Sequence, residues 1–326
     1  MKIAIIADEL TTVCLAHEEQ IYTLTPLNYK LVLRLYKPDF LFVESAWQGY
    51  KEKWKYKIAS YADYPKRTNK KLQKVVSYAK KLGIPTVFWD KEGSVHFDRF
   101  IDSAKLFDHI FTVDENCIPG YRAVASNEVT INTLMFAVQP KFHFFDGFHF
   151  KYNKANFVGS YSPLHKQRLV WQNMMFEASS KSGLGTIVYD RNSSRKSKDY
   201  RYPKMLYLEI NDAVPHTKTA EVYKDCLVSL NANTTEDSAT MYSRRLVEII
   251  ACGGIAITND SAAVQKYFKD YCYVVHTSDE MLALCKRLKD GPSALDLARS
   301  KAGAKYVAEH HTWEHRLNEI RKVTGI

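Results

Sequence analysis

Short apolar runs alternate with helix-patterned stretches along nearly the whole of this chain, and that alternation constrains its fold more than any other feature. In the first half, "KIAIIAD" (2–8), "DFLFVES" (39–45), "IPTVFWD" (84–90), "HIFTVDE" (109–115) and "VTINTLMFA" (129–137) read as strands buried on both faces. Helix-like segments such as "NKKLQKVVSYAKKLG" and "HFDRFIDSAKLF" separate them. The second half repeats the pattern with "NFVGSYS" (156–162), "GTIVYDR" (185–191), "CLVSLNAN" (226–233), "GGIAITND" (253–260) and "YCYVVHT" (271–277). Its clearest helices, "PLHKQRLVWQNMMFEASSKSG" and "SRRLVEIIACGG", both stop at glycine. Doubly buried strands joined by helices imply parallel sheets in doubly wound α/β domains. The stretch 138–154 holds Pro and Gly and shows neither period, so it marks the junction between two Rossmann-like domains. A helical pattern over the last thirty or so residues suggests a terminal helix that returns to the first domain. The expected limits are 1–145, 146–300 and 301–326.

The length of 326 residues suits two domains, and 46% hydrophobic with 25% charged residues is a globular composition. Six cysteines are scattered without a CxxC pair, which disfavours a metal cluster or disulfide framework and fits a reducing compartment. The N-terminus does not read as a signal peptide, and no run approaches a membrane span. A cytoplasmic protein is expected. The formal net charge of +10 favours anionic partners. Residues 64–81 form a basic helix suited to an anionic membrane surface, and residues 190–204 a basic loop suited to a phosphate. A nucleic-acid partner is not expected, because the basic residues do not read as an aromatic-interleaved stripe.

The segment "SRRLVEIIACGGIAITND" (243–260) opens an apolar helix with Ser243, Arg244, Arg245 and Glu248. An ordinary buried helix accounts for Leu246, Val247, Ile249 and Ile250. A nucleoside diphosphate site accounts for the charges as well: the helix N-terminus and an arginine suit the diphosphate, and the carboxylate suits a ribose diol. Asn231 and Asn233 close the strand before this helix, and Gly159, Ser160 and Tyr161 form a strand-to-helix turn with Lys166 and Arg168 close behind. Neither GxGxxG nor a Walker pattern occurs, which disfavours dinucleotide oxidoreductases and kinases. In the first half, acidic residues repeatedly end strands: Asp8 with Glu9, Glu44, Asp90 with Glu92, and Asp114 with Glu115. Some are caps. Asp8, Glu9, Glu44, Asp90 and Glu92 are all candidates for a general base that deprotonates a hydroxyl, and the sequence does not choose among them.

These residues together resemble a family. "ESAW" with a second Trp (44–54), "GIPTVFWDKE…HF" (83–97), "FDHIFTVDENCIPGY" (107–121), "FVGSY" (157–161), "YDR" (189–191), "LNANTTEDSATMYSRRLVEIIACGG" (230–254) and "HHTWEHR" (310–316) are similar to CgeB-like, spore maturation protein type, glycosyltransferases. The resemblance runs through nearly the whole length. It implies a GT-B fold, two Rossmann-like domains facing across a cleft, with the acceptor in the N-terminal domain and the donor in the C-terminal one. It further implies transfer of a sugar from a UDP- or dTDP-linked donor to a hydroxyl of a glycan or lipid-linked acceptor in bacterial surface polysaccharide assembly. Glu248 matches the glutamate that holds the donor ribose. Arg244 or Arg245, with Arg191, would neutralise the diphosphate, so no metal and no cofactor are expected. Gly159, Ser160, Tyr161, Asn231, Asn233, Thr240 and Ser243 complete the expected donor contacts. Two positions depart from the pattern: Thr240 stands where many retaining enzymes carry a sugar-holding glutamate, and "DKEGS" (90–94) replaces an Asn-Lys-Glu-Asp-Pro run. A GT-B-fold sugar-nucleotide epimerase and a non-enzymatic glycan or sugar-nucleotide binding protein are the rival readings.

Overall fold

The computed structural model describes residues 1–197 and 200–326. They form two compact units, one of Met1–Gln139 with Trp313–Ile326 and one of Pro140–Thr312.

In the first unit the apolar runs become strands β1 (Lys2–Ile6), β2 (Gln20–Thr23), β3 (Phe40–Glu44), β4 (Thr86–Asp90), β5 (His109–Thr112) and β6 (Thr130–Thr133). They form one parallel sheet in the order β2-β1-β3-β4-β5-β6. β3 and β4 are buried at every position, as their aromatic and β-branched content demands. β2 was not expected from the sequence: it is a partly exposed edge strand, "QIYT", without a continuous apolar run. Helices α1 (Glu9–Leu15), α2 (Tyr29–Tyr36), α3 (Lys70–Lys81), α4 (Phe97–Ala104) and α5 (Ile118–Val124) connect the strands. α3 buries Leu72, Val75, Val76 and Ala79 and turns its lysines outward. It ends at Gly83, whose φ of +71° lets the Gly83 and Ile84 N–H groups close onto the Lys80 and Ala79 carbonyls.

The second unit holds β7 (Tyr152–Gly159), α6 (Lys166–Lys181), β8 (Thr186–Asp190), β9 (Leu208–Asn211), α7 (Thr219–Asp225), β10 (Cys226–Asn231), α8 (Arg244–Ala251), β11 (Ile255–Asn259), α9 (Ala262–Tyr267), β12 (Tyr273–Val275), α10 (Ser278–Lys289) and α11 (Ala294–His310). Its sheet is again fully parallel, in the order β12-β11-β10-β7-β8-β9. β9 is another exposed edge strand that the apolar pattern did not announce. The long C-terminal helical pattern divides: α11 starts at a Ser293–Asp296 capping box and ends at His311, and α12 (Trp313–Thr324) belongs to the first unit. There Trp313 packs edge-on against Trp89 with ring centroids 5.2 Å apart, and Arg316 donates to the carbonyl of Met135 at 2.9 Å. All six cysteines are buried free thiols. Among the described residues no helix is long and apolar enough to cross a membrane.

Candidate functional site

Parallel strands direct all their carboxyl ends to one edge of a sheet, and ligands of such sheets gather there. In the second unit that edge carries Gly159, Asp190, Asn231 and Asn259 as the last residues of β7, β8, β10 and β11. Asn231, Asn233 and Asn259 form a buried amide lattice. Asn231 Nδ2 donates to Asn233 Oδ1 (3.1 Å) and Thr258 Oγ1 (2.9 Å), and Asn233 N donates to Asn259 Oδ1 (2.7 Å). Asn233 Oδ1 also accepts the Ser243 backbone N–H at 2.9 Å, which fixes where α8 begins. The two asparagines therefore position the helix start rather than present open side chains. Ser243 occupies the N-cap in extended conformation but makes no side-chain cap bond. Thr240 is buried, its N–H bonded to Ser238 Oγ at 3.3 Å.

Arg245, in the first turn of α8, runs back beneath β7. Its Nε donates to the Val158 carbonyl at 2.5 Å and its Nη1 to Asn231 Oδ1 at 3.2 Å, and its guanidinium lies 4.2 Å from the centre of the Phe157 ring. Gly159 makes room for it: a Cβ there would sit 2.6 Å from Arg245 Nη2 and 2.6 Å from the Phe157 ring. Arg168, near the start of α6, donates to the Ser160 carbonyl at 2.9 Å, while its Nε is buried without a hydrogen-bond partner. Burial, with Arg245 and Arg191 nearby, pushes the Arg168 guanidinium down to about 10. Burial likewise lowers Arg245. Among the described residues neither Arg168 nor Arg245 has a carboxylate within ion-pairing distance. Two partly buried guanidiniums that pair directly with no described carboxylate favour an anion at the end of β7. Arg168 was not among the donor residues expected from the sequence; its only signal there was its place just after "VGSY".

Glu248, one turn further along α8, is buried. Its Oε1 accepts from His216 Nε2 at 2.8 Å and lies 3.4 Å from Arg244 Nε, while Tyr223 donates to Oε2 at 3.4 Å. Burial alone would raise its pKa; His143, the His216 hydrogen bond and Arg244 outweigh that and hold it at about 2. His143, also buried, is pushed down to about 4 by burial. Its Nε2 lies 2.8 Å from Thr219 Oγ1, whose own proton goes to the His216 carbonyl at 2.8 Å. His143, His216 and Glu248 each offer an atom within 4.8 Å of the others, and these are residues that could hold a metal ion. The charges at the head of α8 thus divide: Arg245 faces β7, while Arg244 and Glu248 face the two histidines.

Of the other expected donor residues, Tyr161 packs on Tyr202 with ring centroids 5.5 Å apart. The Arg191 N–H bonds the Gly159 carbonyl at 3.1 Å, so β8's exit is tied to the Gly159–Ser160 turn. Of the basic loop 190–204, Lys198 and Asp199 lie outside the described residues.

The corresponding edge of the first unit brings Asp8, Glu44 and Lys91 together. Lys91 Nζ pairs with Asp8 Oδ2 at 2.8 Å and with Glu44. Burial would lower the Lys91 pKa, but Glu44 and Asp8 raise it on balance. Burial raises Glu44, whereas for Asp8 the Lys91 charge overcomes burial and lowers it. Asp90 is fully buried and accepts four hydrogen bonds, from Glu92 N, Gly93 N, Thr112 Oγ1 and Tyr121 Oη, at 2.9 to 3.2 Å. Burial pushes it up to about 6. Glu9 is exposed in the first turn of α1, and Glu92 is partly buried with Oε2 3.9 Å from His96 Nε2. The sequence expectation set five carboxylates side by side; the fold commits Asp8 and Glu44 to Lys91 and Asp90 to the turn that follows it.

Two six-stranded parallel sheets with this order and flanking helices are the GT-B fold of glycosyltransferases. Residues 176–322 match the sequence model of the family described as Glycosyl transferase-like. The structure is similar to an alpha-glucosyltransferase in complex with UDP-glucose and DNA containing an abasic site, with 12% identity, 99% of each chain covered and a TM-score of 0.68. It is also similar to T4 phage BGT in complex with UDP and Mn2+ (13% identity, all of both chains, TM-score 0.58). A third similar structure is Anabaena HepE in complex with UDP and glucose (10% identity, 99% of this chain and 90% of that one, TM-score 0.56). No curated protein matches the chain in sequence.

Proposed function

We propose that this chain is a glycosyltransferase that moves a sugar from a nucleoside diphosphate donor, UDP-linked, to a hydroxyl acceptor. One observation carries the reading: among the described residues, Arg168 and Arg245 have no carboxylate within ion-pairing distance at the end of β7, beside the N-terminus of α8. A diphosphate supplies the missing anion. As the bond to the sugar breaks, negative charge grows on that diphosphate, and fixed guanidiniums with helix N–H groups stabilise it. The cations are already in place, so the reaction is proposed to need no metal bridging the phosphates. Glu248 is proposed to accept the ribose hydroxyls, with His216 giving up its hydrogen bond when the nucleotide arrives. The UDP present in the similar T4 phage and Anabaena structures supports uracil as the base.

The acceptor proposed from the family resemblance is a glycan or lipid-linked hydroxyl of bacterial surface polysaccharide. The DNA in the similar alpha-glucosyltransferase structure supports a second acceptor class, a nucleic acid.

A thermal-shift titration with UDP, dTDP, GDP, CMP and their sugar conjugates tests the donor reading. A ligand that binds only the folded state at a hundredfold excess over Kd stabilises by about 2.7 kcal/mol. The expected result is a rise with UDP that EDTA leaves unchanged and that Arg245→Gln cuts by about half or more. No rise with any nucleotide would remove the reading. Binding with donor turnover but no acceptor would move it to an epimerase, and binding without turnover on any acceptor to a sugar-nucleotide binding protein.

A further inference from the structure

Nearly all of the chain's net charge lies in one short segment. Residues 50–81 hold eleven Lys and Arg against Glu52 and Asp63, a net +9 of the chain's +10. Eight of those eleven are exposed, and among the described residues only Lys55 and Lys80 have a carboxylate within ion-pairing distance. The segment is a loop that runs directly into α3, so the lysines of the helix's first turns, Lys70, Lys71 and Lys74, follow closely on the loop's last arginine.

That arginine sits among aromatic rings. The Arg67 guanidinium lies 3.8 Å from the centre of the Tyr64 ring and 3.9 Å from that of Tyr56, with Tyr61 at 5.3 Å. Tyr64 is 52% exposed and Tyr56 40% exposed, so their rings reach solvent while the cation holds them in place. Beneath them the loop is anchored by Trp54, which is buried and donates from Nε1 to the Leu24 carbonyl at 2.7 Å. Three of its residues, Lys51, Glu52 and Tyr56, hold positive φ without being glycine. In sequence the tyrosines and basic residues form no regular stripe; folding of the loop gathers them.

An anionic membrane and a nucleic acid both attract lysines, and α3 separates the two. Its apolar side chains Leu72, Val75, Val76 and Ala79 are buried in the unit's own core, so no apolar face is left to enter a bilayer. Exposed rings held beside a cation and a run of lysines instead match a strand that offers both phosphates and base faces.

We propose that residues 50–81 form a binding surface for single-stranded nucleic acid, with phosphates on the α3 lysines and an unstacked base on the Tyr56–Arg67–Tyr64 cluster. This surface is independent of the donor site, and its test needs no nucleotide sugar.

The experiment is fluorescence anisotropy of fluorescein-labelled (dT)20 with the full chain, repeated across salt concentrations. Binding in the micromolar range is expected at low salt, with a log–log salt slope of about −0.7 per phosphate neutralised. Lys70→Glu/Lys71→Glu/Lys74→Glu should weaken binding at least about tenfold and flatten the slope by about 2. Tyr64→Ala should weaken it at least about fivefold with the slope unchanged. These side chains are exposed, and unchanged circular dichroism confirms folding. No binding at about 100 μM protein, or equal binding by the triple variant, overturns the proposal. So does charge-dependent binding to phosphatidylglycerol vesicles by a chain that ignores (dT)20, which would make the surface a membrane contact. Equal binding by Tyr64→Ala would overturn the stacking of a base.

Discussion

Replacing Asp90 by asparagine should change how stability responds to pH, and by an amount the structure sets. Asp90 is fully buried, and burial raises its folded-state pKa from an ordinary 3.8 to about 6. A carboxyl group whose pKa is raised on folding favours the protonated native state. Wild-type stability therefore falls as pH climbs through the window between the unfolded and folded values, and is independent of this group below it. The full effect is about 3 kcal/mol, of which about 2 kcal/mol falls between pH 4.5 and pH 8. Asp90→Asn cannot ionise and lacks this dependence. It can also keep the local bonds: its oxygen faces the Glu92 and Gly93 N–H groups, and its amide can donate to the Thr112 and Tyr121 hydroxyls, which are free to turn. Other titrating groups cancel in the difference between the two proteins. Urea unfolding followed by tryptophan fluorescence suits the measurement, because Trp47, Trp54, Trp89 and Trp313 all lie in the first unit. The variant should gain about 2 kcal/mol on the wild type between pH 4.5 and pH 8. A difference that stays flat across that range would refute the reasoning, and would mean that burial does not raise the Asp90 pKa in the folded state.

Three further outcomes are expected. Arg245→Gln removes one of the two guanidiniums at the end of β7 and should weaken UDP binding in isothermal titration by about ten- to a hundredfold, the worth of a hydrogen bond to a charged group; a change under twofold would mean that the diphosphate does not use this residue. Gly253→Ala forces a side chain onto a φ of +71° and a Cβ to 2.4 Å from the Phe145 ring, so it should cost about 1–3 kcal/mol in chemical denaturation; an unchanged midpoint would show that Phe145 moves freely. Trp313→Ala opens a void beside Trp89 and should lower stability by about 3–5 kcal/mol, read by near-ultraviolet circular dichroism during unfolding; a loss below 1 kcal/mol would mean that α12 contributes little to the first unit.

Much of the fold was legible in the sequence because a doubly buried parallel strand is apolar along most of its length. β3 and β4 carry Phe40–Val43 and Val87–Trp89 as unbroken apolar runs, with polar residues only at strand ends. The edge strands β2 and β9 escaped for the same reason: half-covered strands of four residues carry no continuous apolar run. The end of α8 was also written locally, since only glycine readily adopts the backbone that closes the helix at Gly253. Charge partners were not legible. "SRRLVE" shows two arginines and a glutamate but not that Arg245 turns toward Val158 while Arg244 and Glu248 turn toward His216. Likewise Asp8, Glu44 and Lys91 are separated by dozens of residues and meet only because parallel strands bring their carboxyl ends to one edge. Apolar periodicity is a property of neighbouring residues, so sequence alone determined the central strands and the main helices. The partner of a charge is a property of distance in space, which only the tertiary structure decided.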